Sequence, residues 1–141
     1  MSASRNVRLT AGVVLLAAVL SSAALGRDMP RYGVFIYSDL CIEPASGDVA
    51  GNRIALLRYP ESNQIIFEYT EGPLMAPLFA DKITIDSVTG ALTFDVREDS
   101  QTVTFRGTMT DDALVGTISD RPEPIRLPRI RDFGGKLVEC R

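Results

Sequence analysis

The chain has 141 residues, with 15 lysines and arginines against 18 aspartates and glutamates, and no histidine. A net charge of −3 gives no broad positive field, so nucleic acid is not an expected partner. The missing imidazole excludes Ser-His-Asp and Cys-His catalysis, and with only two cysteines it leaves no ordinary zinc or copper site, so neither cofactor nor metal is expected.

Residues 1–26 read as a targeting segment. Arg5 and Arg8 make a positive start, residues 13–20 are an unbroken apolar run, and Ser21, Ser22, Ala23 and Ala24 follow. That order is the pattern of a secretory signal peptide. Cleavage before Leu25 or before Arg27 fits the small-x-small rule equally well. The alternative is an uncleaved anchor, although the apolar stretch falls a little short of the ~20 residues that span a bilayer. The protein is therefore expected to be exported, to a periplasm or to the cell exterior. No second apolar run follows, so residues 27–141 should form one domain with no membrane span, expected to be monomeric.

Without the first 26 residues the charge becomes −5, and both cysteines, Cys41 and Cys140, remain. Export places them where disulfides persist, and with two there is one possible pair. Their bridge would close a loop of about 100 residues, worth roughly 4–5 kcal/mol in the chain-entropy model. The rival reading is two buried thiols.

The periodicity of this domain is two. Strands are predicted at 32–38, 53–58, 64–70, 81–86, 91–97, 101–109, 113–119 and 124–130, with a short ninth at 136–139. Phe35 with Tyr37, and Ile65 with Phe67, give the signal in the first half. Ile83 and Ile85, then Leu92, Phe94 and Val96, then Val103 and Phe105, alternate with Thr, Asp, Lys and Arg in the second. Turn residues separate them: Glu43-Pro44 to Gly47-Asp48, Tyr59-Pro60, Ser87 to Gly90, Arg97 to Ser100, Thr110-Asp111-Asp112 and Ser119 to Pro122. At most a single helical turn is expected, between Pro73 and Ala80, where two prolines oppose anything longer.

Short strands at this spacing predict an all-β fold, either a small antiparallel up-and-down β-barrel of about eight strands or a two-sheet β-sandwich. A bond from Cys41, just after the first strand, to Cys140 would set the first and last strands side by side, which favours the closed barrel. Gly107 and Gly116 lie at similar distances from the Thr110-Asp111-Asp112 turn, as expected of tight corners in a coiled sheet. This hairpin resembles in architecture those of small exported calycin-type barrels. The Gly-x-Trp signature of lipocalins is absent, since the chain has no tryptophan. Inward residues are expected to be Val34, Ile36, Ile83, Ile85, Leu92, Phe94, Val103, Phe105 and Val115, or the opposite set in some strands. So short a domain favours a filled interior over a hollow one.

Three features could carry function. Residues 71–80 are too apolar for an ordinary loop, and Leu74, Met75, Leu78 and Phe79 form a candidate contact loop or lid; alternatively they plug the core end. Residues 121–141 carry a net +3 against −8 for residues 27–120, which makes Arg126, Arg129 and Arg131 a candidate basic strip, or a set of arginines paired with neighbouring acids. The interior, if hollow, could hold a small apolar ligand. The adjacent acids Glu98-Asp99 and Asp111-Asp112 fall in turns, where carboxylates bond their own backbone. The expected function is a non-catalytic binding or interaction module in the cell envelope, its partner a protein or a small apolar ligand. The alternatives are a carboxylate-based enzyme acting on a glycan, and a structural envelope component.

Overall fold

The computed structural model describes residues 32–72 and 76–141. The signal-peptide reading of residues 1–26 therefore lies outside the described residues, as do Leu74 and Met75 of the candidate contact loop.

The fold is all-β, and its eight long strands close into an antiparallel barrel. They are β1 (Gly33–Ser38), β3 (Val49–Arg58), β4 (Asn63–Gly72), β5 (Leu78–Ile85), β6 (Ala91–Glu98), β7 (Gln101–Met109), β8 (Ala113–Ile118) and β9 (Arg121–Ile130). Each pairs with the next, and β9 returns to β1 through Ile36↔Ile130 and Tyr37↔Arg129, so the barrel has no open edge. Two short strands, β2 (Cys41–Ile42) and β10 (Val138–Glu139), extend the rim beyond β3, pairing in parallel with each other. The sandwich alternative is overturned. No helix forms among the described residues, and the segment where a helical turn was expected enters β5 at Leu78.

The Cys41–Cys140 disulfide ties β2 to the chain end, with the Cα atoms 5.0 Å apart. The adjacency it implied is real, but β10 is not a barrel stave. Closure is made by β1 against β9, and the bridge fastens a C-terminal strap of residues 131–141 across the outside. Ile36 and its cross-strand partner Ala55 face outward and are nevertheless buried. Phe133 lies 5.1 Å beneath the Arg53 guanidinium, and Arg53 Nη1 donates to the Phe133 carbonyl at 3.3 Å. Glu68 accepts two further hydrogen bonds from the same guanidinium, which holds it flat on the wall.

β1 and β2 are one strand broken at Asp39 and Leu40. Asp39 N–H donates to the Asn52 carbonyl at 3.1 Å, and Asp39 Oδ1 accepts from Asn52 N–H at 2.6 Å. Opposite the break Gly51 has φ +111°, and a Cβ there would meet the Asp39 carbonyl oxygen at 2.9 Å. Only glycine lets β3 run straight past this kink.

The interior is filled by side chains. Phe35, Tyr37, Ile54, Leu56, Ile65, Phe67, Leu92, Phe94, Val96, Val103, Phe105, Leu114, Ile118 and Leu127 form one cluster. Phe94 and Phe105 stack at 5.1 Å, and Phe67 meets Phe94 edge-on at 6.1 Å. The Gly107–Gly116 cross-strand pair makes room for this column, since a Cβ on Gly107 or Gly116 would lie 2.7 or 2.6 Å from Phe105 Cζ. In β1 and β8 the opposite set faces inward. Val34 and Val115 are exposed and Ile36 is buried outside the core cluster, while Phe35, Tyr37, Leu114 and Ile118 enter the core. Each of those two strands has apolar residues on both faces, so alternation alone could not choose.

Candidate functional site

The barrel has two unlike ends. The lower end carries the β3–β4, β5–β6 and β7–β8 turns. The upper end carries the β6–β7 and β8–β9 turns and the start of β5, with Leu78 and Phe79 of the candidate contact loop.

At the upper mouth the inward face changes from apolar to polar. Continuing the inward alternation of β3, β4 and β6 by one step beyond the core reaches Asn52, Tyr69 and Glu98. Tyr69 Oη donates to Glu98 Oε1, and this bond, together with burial, pushes the phenol up to about 12. The Arg121 guanidinium lies 5.1 Å from the Tyr69 ring centre, and its Nη1 donates to Asn52 Oδ1 at 3.5 Å. Asn52 is only 4% exposed, so the amide is a structural part of the mouth. Below this ring lies a dimple lined by Phe67, Leu78, Val96, Val103 and Ile118, with no room for a water molecule.

Two of the four contact-loop residues fall on this mouth. Leu78 packs against the core and lines the dimple, the plugging role. Phe79, the next residue, points the other way and is 70% exposed. The segment thus divides between the two readings by strand alternation. Ala76 and Pro77 before it are exposed as well.

The structure brings Arg129 and Arg131 of the basic strip together and sets Arg126 apart. Arg126 and Arg129 are three residues apart on β9, which sends them to opposite sides. Arg126 is held by Asp112 at 2.8 Å on the outer wall. Arg129 turns to the lower end, over the Phe35 ring at 5.1 Å, with Nη1 3.5 Å from the Asp111 carbonyl oxygen. Arg131 lies beyond β9 and, together with Arg129, lines an open groove that also takes in Val34, Asp111, Asp112 and Ile130.

The carboxylates with displaced pKa values all move downward. Thr89 and the Val88 and Thr89 backbone N–H groups hold Asp86 below the usual range, Thr104 and Lys82 do so for Asp95, and Thr110 does so for Asp112. The turn role assigned to Asp112 matches its hydrogen bond from Thr110 Oγ1 at 2.7 Å. Among the described residues no group of three or more acids or cysteines could hold a metal ion.

The mouth residues Asn52, Tyr69 and Arg121 were not among the sequence candidates, and Glu98, expected to be a turn acid, instead ends β6 and accepts from Tyr69. Parity along three strands carried the signal for Asn52, Tyr69 and Glu98. Arg121 gave none, because it reaches the mouth only through the register shift between β8 and β9. Comparison with models of protein families, with curated proteins and with solved structures finds no match.

Proposed function

We propose that this protein is an exported binding module that engages a protein partner through its upper mouth, without catalysis. The observation that carries the reading is the mouth itself, a tyrosine and an arginine around an apolar dimple with the exposed Phe79 beside it. Tyrosine, arginine and phenylalanine around a desolvated centre are what protein interfaces concentrate their binding energy on. The filled interior favours a protein over an enclosed apolar ligand.

The pKa pattern supports a non-catalytic role. A glycan-cleaving pair needs one acid with a raised pKa facing a second across a cleft, whereas the displaced carboxylates here are stabilised as anions on turns and on the outer wall. The outer wall supports a module surrounded by water. β6 and β7 turn Thr93, Asp95, Arg97, Thr102, Thr104 and Arg106 outward, opposite in sense to the apolar belt of a membrane barrel. Among the described residues no helix is long and apolar enough to cross a membrane.

The test is in-cell photo-crosslinking of the exported protein. A photoreactive residue replacing Phe79 should give a discrete adduct that the same residue at Val88, at the lower end, does not. Equal labelling from both positions, or none from Phe79, would discard the mouth as the contact surface.

A further inference from the structure

The lower end contains two buried donors that nothing in the structure satisfies. Tyr37 is fully buried and its hydroxyl has no hydrogen-bond partner. Arg58 is 9% exposed, and its Nε is likewise without one. The Arg58 guanidinium makes a single hydrogen bond, from Nη2 to Ser87 Oγ at 2.9 Å, and no carboxylate lies within ion-pair distance among the described residues. A buried guanidinium with one neutral acceptor is strongly disfavoured, because its charge has lost water without gaining a counter-ion.

A second cation closes the same end. Arg129 faces Tyr37 across the β1–β9 register, and its guanidinium rests on the Phe35 ring. Its polar partner is the Asp111 carbonyl at 3.5 Å, too long for a strong bond. The other charges here are largely committed: Asp112 bonds Arg126 and Thr110, and Asp86 caps its own turn through the Val88 and Thr89 N–H groups. Asp111 is the carboxylate left facing the phenol, and it opposes Arg129 and Arg58 in the field that Tyr37 feels. The charges around this end therefore balance, Arg58, Arg126 and Arg129 against Asp86, Asp111 and Asp112, but no carboxylate reaches Arg58, and its Nε–H and the Tyr37 hydroxyl remain unused.

We propose that the lower end of the barrel is a binding site for a small oxyanion, a phosphate or a carboxylate group. Arg58 supplies the buried charge and its Nε–H, Tyr37 donates its hydroxyl, and Arg129 moves from the Phe35 ring to cover the anion. The site is at the opposite end of the barrel from the mouth, so it stands or falls separately from the partner-binding reading.

The experiment follows the Arg58 Nε–Hε resonance of the exported, disulfide-bonded protein by NMR. Inorganic phosphate, and separately acetate, is titrated at ionic strength held constant with chloride. Saturable movement of that resonance is expected, with affinity falling about tenfold in Arg129→Gln and severalfold in Tyr37→Phe, as loss of one charge-assisted hydrogen bond implies. Saturation by phosphate alone identifies a tetrahedral oxyanion, and saturation by both identifies carboxylate recognition; either supports the site. Arg129 is exposed and Tyr37→Phe keeps the ring, so both variants should fold, which a one-dimensional spectrum checks. A linear, unsaturated drift shared with chloride, or equal affinity in both variants, would overturn the proposal and leave buried water as the partner of these donors.

Discussion

Replacing Cys41 and Cys140 by serine cuts the tie between β2 and the chain end. The bridge spans 99 positions of sequence, so its removal returns about 4–5 kcal/mol of loop entropy to the unfolded chain. The folded state loses little at the same time, since barrel closure rests on the β1–β9 and β1–β3 pairings and not on the bridge. What it does lose is the strap: β10 makes two residue pairs with β2, and Cys140 N–H donates to the Ile42 carbonyl at 2.9 Å. So short a pairing should fray once untied. The expected result is a variant that still folds, with a melting temperature lower by about 15 °C for a domain of this size. Hydrogen exchange should quicken at β2 and β10 and in the wall under the strap, while the β6–β7 core keeps its protection. Denaturant melts and exchange mass spectrometry measure both effects. A loss under about 1 kcal/mol, or a collapse of protection in β6 and β7, would refute the view of the bridge as a strap fastener on a self-closing barrel.

Gly116→Ala should cost about 2–3 kcal/mol, because its Cβ would collide with the Arg106 carbonyl oxygen and meet the Phe105 ring at 2.6 Å, measured by urea denaturation. Tyr69 should titrate near 12, because its hydrogen bond to Glu98 favours the neutral phenol. The folded pKa lies above the unfolded value near 10, so the stabilisation is complete below pH 10 and lost as pH rises towards 12. Ultraviolet tyrosinate titration of the wild type against Tyr69→Phe checks this. The lowered pKa values of Asp86, Asp95 and Asp112 act in the other direction. Their stabilisation is present above the ordinary carboxylate range and fades as pH falls through it, so acid melts of Asp112→Asn should show a shallower slope than wild type. Phe79→Ser should leave the melting temperature within about 2 °C of wild type, since that ring packs on nothing it would need for folding.

Eight strands and their turns were legible because alternation and turn chemistry agree along most of the chain. β7 matches its expected bounds, and most other strands differ by a few residues at their ends. β2 was hidden because two residues cannot show a period, and because the kink at Asp39 depends on a long-range contact with Gly51 and Asn52. The inward faces of β1 and β8 were ambiguous because each carries apolar residues on both sides, Val34 and Val115 being left exposed on the outside. Within the basic strip, the alternation that made the strands visible also separates Arg126 from Arg129, while Arg129 and Arg131 share one groove. The mouth was half legible. Asn52, Tyr69 and Glu98 occupy positions that alternation turns inward, yet nothing local says that those positions meet Arg121 across the barrel.

The central claim is a filled barrel that binds at its surface, and native mass spectrometry of the protein expressed into an oxidising compartment tests it most directly. The denatured spectrum should be two hydrogens lighter than the reduced chain, which verifies the Cys41–Cys140 bridge. The native spectrum should show the folded protein without any apolar small molecule, and with a protein partner when the partner is co-expressed. A stoichiometric apolar ligand that leaves only on unfolding would mean that the interior opens, and would contradict the account.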